Sequence, residues 1–321
     1  MNEDVLISVI IPAYNCEKYL IRCLESLKKQ SFTQYEVIII DDGSIDNTGK
    51  IAKTFVKDYN NFKYIYQHNL GVSSARNCGI ENSRGKYITF IDSDDWIEKD
   101  YLYMLYTTIN SNNISVCYSG YNIYSEGRLV ERCRENKKFE SFTAETFIPN
   151  SYYFYGSCWA GIFEKKCFEV IRFPSDISYG EDMITVARVI EKYNGIGFVN
   201  YPLYNYEYNH EGALSSTYKY DNKKLDKIKA LKIVENLFAD NNSSMRIMKG
   251  RIAEASMSLI TNFYYDNDFS KETKKSLITE YRNNFKYFEK RNKKDKLQFL
   301  LFYISPDFYM YFRSKTRKRK K

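Results

Sequence analysis

With 321 residues, the chain is long enough for one large domain or two small ones around a full core. Its net charge is +8, but Arg313, Lys315, Arg317, Lys318, Arg319, Lys320 and Lys321 supply seven of those charges in residues 313–321, so the rest is nearly neutral and nucleic acid is not an expected partner. The seven cysteines are odd in number and form no C-x-x-C pair, which argues against a zinc site or a disulfide framework and for a reducing cytoplasm.

Two further readings come from composition. Aromatic residues reach 17%, with 31 Tyr, well above ordinary usage. Such a content suits stacking on sugars or nucleotides, and it also follows from codon usage that favours Tyr, Asn, Lys and Ile. Glu3 and Asp4 precede a short apolar run that stops at Pro12, which does not read as a signal peptide, and no run approaches the ~20 apolar residues of a membrane-spanning helix.

In chain order, VLISVII (5–11) predicts a buried strand stopped by Pro12. Leu20, Cys23, Leu24 and Leu27 fall at i, i+3, i+4 and i+7, the stripe of an amphipathic helix. YEVIIID (35–41) predicts a second strand, followed by Asp42-Gly43-Ser44, with Ser44 as N-cap of a helix carrying Ile51, Ala52, Phe55 and Val56. FKYIYQ (62–67) is a third strand, Ser73 to Asn82 a third helix and KYITFI (86–91) a fourth strand. Buried strands alternating with helices predict an α/β fold with a doubly wound, mostly parallel sheet, whose ligands bind beyond the carboxyl ends of the strands. SVCYSGYNIY and GIGFVNYPLYNYEY add strands either side of a helix over Glu181–Tyr193. From 213 onward helical patterns dominate.

The loop after the fourth strand packs Asp92, Asp94 and Asp95 around Ser93. Like charges this close repel, so a cation is expected among them, a hard divalent ion that also neutralises a diphosphate. No G-x-G-x-x-G follows the first strand and no P-loop occurs, which removes the dinucleotide and P-loop readings. The first two strand ends offer instead an aromatic ring, Tyr14, and the carboxylates Asp41 and Asp42, a pairing that suits a pyrimidine base and its ribose.

These residues carry a resemblance. VIIPAYNCEKYLIRCLESLKKQSFTQYEVIIIDDGSIDNT followed by NLGVSSARNCGIENSRGKYITFIDSDDW closely resembles the family-two inverting glycosyltransferases of the GT-A fold, over almost all of the first hundred residues. The resemblance implies a Rossmann-like nucleotide-sugar half (1–115) and an acceptor half (116–212) within one GT-A domain (1–212), then a helical C-terminal region (213–321). It implies a Mn²⁺ or Mg²⁺ ion bound through Asp94, with Asp92 and Ser93 near ribose or metal. Asp42 is implied as the uracil-binding acid, Pro12 and Tyr14 as floor and wall of the base pocket, and Arg76 as a neighbour of the base or phosphates. Glu181 and Asp182 match the downstream acidic pair, with Asp182 as general base. His210 stands open between a third metal ligand or phosphate contact and a surface histidine. Trp159 stands open between an acceptor-stacking ring and a core residue, and His68 is read as structural.

The expected reaction moves a sugar from a UDP-sugar to a saccharide or lipid-linked acceptor in one displacement. Two rivals remain: an inactive sugar- or nucleotide-binding scaffold subunit, and a sugar-nucleotide nucleotidyltransferase, whose glycine-rich start is missing here. The apolar stretch KLQFLLFYISPDFYMYF before the basic tail reads either as a segment lying in an anionic membrane interface, placing the enzyme at the inner face of the plasma membrane, or as a packed terminal helix.

Overall fold

The computed structural model describes residues 5–133, 139–150, 156–193, 195–208, 219–287 and 293–318. The chain divides into two compact units, Met1–Phe147 with Ser151–Ser216, and Ile148–Asn150 with Thr217–Lys321.

The first unit is built on one ten-stranded sheet with helices on both faces. Its nucleotide-side half is β1 (Ile7–Ala13), α1 (Leu20–Lys28), β2 (Tyr35–Asp41), α2 (Thr48–Asp58), β3 (Phe62–Tyr66), α3 (Val72–Asn82) and β4 (Tyr87–Phe90), in the strand order β3-β2-β1-β4, all parallel. Alternation along the strands assigns the two faces. Ile7, Val9, Ile11, Val37 and Ile39 join Leu20, Cys23, Leu24 and Leu27 of α1 in one core, whereas Ile38 and Ile40 pack with Ala75 of α3 on the other side. Leu20, Cys23, Leu24 and Leu27 are all buried, as their spacing predicts. β3 is half-exposed because it is the edge of the sheet.

The remaining elements are β5 (Trp96–Ile97), α4 (Tyr101–Asn112), β6 (Val116–Ser125), β7 (Arg128–Cys133), β8 (Phe139–Phe142), α5 (Ala144–Asn150), β9 (Gly161–Glu164), α6 (Glu181–Tyr193) and β10 (Ile196–Glu207). The sheet continues from β4 through β9, β6 and β10 to β5. β9 runs against both its neighbours, and β5, β7 and β8 also run against the common direction of β1, β2, β3, β4, β6 and β10. The strands β5, β7, β8 and β9 escaped the sequence reading: β5 has only two residues, and β7, β8 and β9 interrupt their apolar residues with charged or glycine positions, unlike the continuous run of β4.

Two local expectations are corrected. Pro12 does not stop β1: it stays in register with Ile40 and the strand runs on to Ala13. Ala13 O accepts from Asp42 N on the β2 side, while Ile10 O accepts from Ile91 N on the β4 side, so alternation turns the Pro12 nitrogen past the end of β4, where no ladder bond is needed. Ser44 does not cap α2, which starts at Thr48 and takes its first side-chain bond from Asp46, whose carboxylate accepts from Thr48 N at 2.9 Å. Ser44 is instead tied to Asn15, as described below.

The second unit is helical: α7 (Asp226–Leu237), α8 (Asn242–Phe263), α9 (Lys271–Asn284), α10 (Lys293–Ile304) and α11 (Pro306–Lys318). Asn241 and Ser270 cap α8 and α9, accepting from Ser244 N and Thr273 N. Pro306 begins α11, where its missing N–H costs nothing.

The contact of α3 with the sheet is tight enough to test. A methyl group at Gly79 would overlap the fully buried Ile10 side chain of β1. Gly79→Ala is therefore expected to lower stability by about 1–3 kcal/mol despite its better helix propensity. Denaturant unfolding checks this, and an unchanged midpoint would mean that α3 can lift off β1 freely.

Candidate active site

The loops at the carboxyl ends of the strands are joined into one rim. Asn15 N donates to Ser44 Oγ at 3.0 Å and Asn15 Oδ1 accepts from Ile45 N at 2.9 Å. Cys16 N donates to Thr48 Oγ1 at 2.8 Å, which completes the join between the loops after β1 and β2. Asp42 joins the second loop to the third: its carboxylate accepts from Gln67 Nε2 (2.7 Å), Leu70 N (2.9 Å) and Gly71 N (2.9 Å). Gly43 has φ +79, and a Cβ there would lie 2.8 Å from Asn69 N, so this approach requires glycine. The rim closes through two arginines. Arg22 on α1 donates to the Asp94 carbonyl at 2.6 Å and to Glu207 Oε2 at 2.7 Å, with its guanidinium 3.8 Å from the Trp96 ring centre. Arg76 on α3 reaches the loop after β4.

Arg76 is the charge centre of the site. Only 4% exposed, it donates to Asp92 Oδ1 at 3.1 Å and to Glu181 Oε1 at 2.8 Å, and its guanidinium lies over Phe173. The fourth strand end and the start of α6 are thus held together through one cation. Asp182 is left out of that pairing, and its one hydrogen bond among the described residues comes from Met183 N at 2.8 Å. Burial, then the neighbouring Glu181 charge, raise its pKa to about 8, with Arg76 offsetting only part. The acidic pair is therefore divided: Glu181 is neutralised by an ion pair, and Asp182 is an acid poised to hold or release a proton near neutral pH.

The aspartate cluster is divided in the same way. Asp95 is fully buried and turned inward, accepting from Tyr204 OH at 2.6 Å and from Glu207 N at 2.9 Å. Burial, then the Asp94 and Asp92 charges, push its carboxyl well above the usual range. It anchors β10 to the loop, so one of the three acids first read as gathered around a cation serves packing. Asp92 is also raised, by burial first and by Asp94, in spite of Arg76. Asp92 and Asp94 are the carboxylates of this loop that could hold a divalent ion, which needs only one or two protein carboxylates when phosphate oxygens complete its shell. Among the described residues no group of three or more His, Cys, Asp or Glu is arranged to hold a metal by itself.

The other expected residues divide as follows. Pro12 is buried at the end of β1, Tyr14 is 50% exposed beside it, and Ser93 is half-buried between Asp92 and Asp94. Asp42 spends three of about four acceptor positions on its own chain. Arg76, expected beside the base or phosphates, has both terminal nitrogens taken by carboxylates. Trp159 stacks on Tyr206 (5.3 Å, 6°) and Tyr204 (5.0 Å, 21°) and packs against the main core. His68 is exposed, with its ring edge-on to Tyr66. His210 lies outside the described residues. Sequence reading missed Arg22, Gln67, Tyr204 and Glu207. For Arg22 a signal existed, an arginine on the polar side of an amphipathic helix, but nothing in the sequence says what it meets.

A sheet of this order with its acids gathered at the strand ends is the GT-A arrangement, and comparison with known proteins agrees. The sequence model described as Glycosyl transferase family 2 matches residues 8–168, half of the chain. The chain belongs to that family. It is 34% identical over 227 residues to the glycosyltransferase GlyA of Streptococcus pneumoniae, a match covering 67% of this chain and 32% of the relative. It is 38% identical over 122 residues to the glycosyltransferase GlyG of the same organism, covering 38% of this chain and 40% of the relative. The chain thus spans well under two thirds of these relatives' own length. TarS of S. aureus in complex with UDP-GlcNAc superimposes with a TM-score of 0.67 at 22% identity, covering 88% of this chain and 82% of that one, which establishes the shared fold.

Two outcomes follow from the charge arrangement. Removing the Arg76 cation leaves Asp92 and Glu181 uncompensated, so Arg76→Met is expected to cost about 3–5 kcal/mol, read by denaturant unfolding. A loss under about 1 kcal/mol would mean that the acids do not depend on the ion pair. Second, the folded chain keeps on Asp182 a proton that the unfolded chain releases near pH 4, up to about pH 8. The native state then binds more protons than the unfolded state across that window, and stability falls as pH rises through it. Asp182→Asn should remove this part of the slope, so that the variant loses less Tm than wild type between pH 5 and pH 8; parallel losses would place the Asp182 pKa in the ordinary range.

Proposed function

We propose that this protein is a metal-dependent inverting glycosyltransferase that moves a sugar from a UDP-sugar to a saccharide or lipid-linked glycan acceptor. The observation that carries the reading is the division of the acidic pair by Arg76, which leaves Asp182 as a base with a raised pKa beside the strand-end loops. Membership of glycosyl transferase family 2 supports transfer as the reaction class. The solved complexes of TarS with UDP and UDP-GlcNAc support a UDP-sugar as donor.

In this mechanism Pro12 and Tyr14 flank the uracil, and Asp42 uses its last acceptor position for a base N–H while fixing the loop around it. Ser93 and Asp92 lie towards the ribose. Asp94, with His210 as a further contact to the ion or the phosphates, would hold Mn²⁺ or Mg²⁺. When bound, that ion neutralises the diphosphate and stabilises it as a leaving group. Asp182 accepts the proton of an acceptor hydroxyl, whose oxygen attacks the anomeric carbon on the face opposite the departing UDP, so a single displacement inverts configuration. Glu181 and Arg76 are positioning residues: the ion pair sets where α6 begins and how close Asp182 stands to the loop after β4. We place the enzyme in the cytoplasm at the inner face of the membrane, where lipid-linked glycans are assembled.

A panel of UDP-sugars with Mn²⁺, followed by UDP release, tests the reading. Release from at least one donor is expected; UDP binding with no release from any of them would favour the scaffold reading. Asp182→Asn should keep UDP affinity and lose turnover by a factor of about 10² or more, and retained turnover would reject it as base. Asp94→Ala should abolish the metal-dependent part of UDP affinity, and unchanged affinity would reject the ion site.

A further inference from the structure

The C-terminal helices carry large apolar side chains that stand exposed. α10 buries Phe302 edge-on against Tyr281 of α9 at 4.9 Å, and Tyr281 OH donates to the Phe299 carbonyl at 2.8 Å. Its other side shows Leu297, Leu300 and Ile304 at 59%, 46% and 65% exposure, spaced i, i+3 and i+7 on one helix face. α11 repeats the pattern. Met310 is 4% exposed, while Phe308, Tyr311 and Phe312, at i, i+3 and i+4, stand at 56%, 55% and 59%. Single exposed apolar residues are ordinary on a protein surface. Seven large ones lie within sixteen consecutive residues, Tyr303 included, and six of them stand in register on two successive helices: that is a surface.

The charge of the sequence names what covers it. Lys290, Arg291, Lys293, Lys294 and Lys296 precede the exposed stretch with Asp295 as the only acid among residues 290–296, and residues 313–321 follow it with seven cations and no acid. An apolar stretch bracketed by basic runs fits an anionic lipid surface, where the rings and aliphatic chains enter the acyl boundary and the cations meet headgroup phosphates. A second copy of this chain on the same faces would bring these like-charged runs together. With 12 and 13 residues, α10 and α11 each extend about 20 Å, short of the roughly 30 Å hydrocarbon core, and Ser305 separates them before Pro306 opens α11. They are built to lie along a membrane.

We propose that the exposed faces of α10 and α11 dock the protein on the interface of a bilayer containing anionic lipid. The contact is independent of the reaction performed by the first unit.

The test is flotation of the full chain with phosphatidylcholine vesicles and with vesicles that also contain phosphatidylglycerol. Binding to the anionic vesicles is expected, about tenfold weaker to the neutral ones, and reduced by high salt. The variant Leu300→Glu, Ile304→Glu, Phe308→Glu changes exposed positions only. It should keep its Tm and its UDP affinity and lose about tenfold in vesicle binding. Three results overturn the proposal. One is no binding to either vesicle; another is full binding by the triple variant, which would assign the contact to charge alone. The third is a dimer, seen by light scattering, that the triple variant dissolves while vesicle binding is absent, which would assign the faces to a second copy.

Discussion

The site depends on one buried guanidinium shared by two carboxylates. Arg76 sits on a helix that packs on the first strands, Asp92 follows the fourth strand, and Glu181 begins a helix about a hundred residues later. Three segments meet there because two acids brought out of water repel unless a cation lies between them, and a planar fork can serve both at once. With the pairing made, Asp92 and Glu181 are bound to the cation, while Asp182, outside it, keeps its proton up to about pH 8. The ion pair that joins the loop after β4 to the start of α6 thereby sets Asp182 apart from Glu181.

Around this centre the chain spends its polar side chains on connecting loops. Asp42 gives up three acceptor positions to hold the turn that leads into α3, and Asp95 gives its carboxylate to Tyr204 and to the backbone of β10. Arg22 ties the Asp94 carbonyl to the last residue of that strand. Backbone that leaves a parallel strand has no ladder to satisfy it, and here side chains do so, loop to loop. A rim fixed in this way needs little reorganisation to receive a charged ligand.

Much of the fold was legible because its signals are local. The α1 stripe, the apolar runs of β1, β2 and β4, and the limits of α6 follow from spacing alone, and the resemblance of the first hundred residues carried the family. The errors arose where a residue's local habit gave way to its neighbours. Pro12 stays inside a strand because the strand beside it has already ended. Ser44, a good cap by composition, is used by a loop from elsewhere in the chain. Asp95 reads as one more ligand in a row of acids, yet it faces inward, and consecutive positions of a turn cannot all point the same way.

By itself, the sequence determined the alternating α/β order, the family, the acids of the strand-end loop and the acidic pair at the head of α6, since each is written in adjacent or regularly spaced residues. Only the tertiary structure decided which of those acids are neutralised, buried or left charged. That depends on Arg22, Arg76 and Tyr204 arriving from remote parts of the chain, and on burial, which multiplies the effect of every neighbouring charge. It also decided which faces of α10 and α11 stay uncovered, because the core needs only one side of each helix.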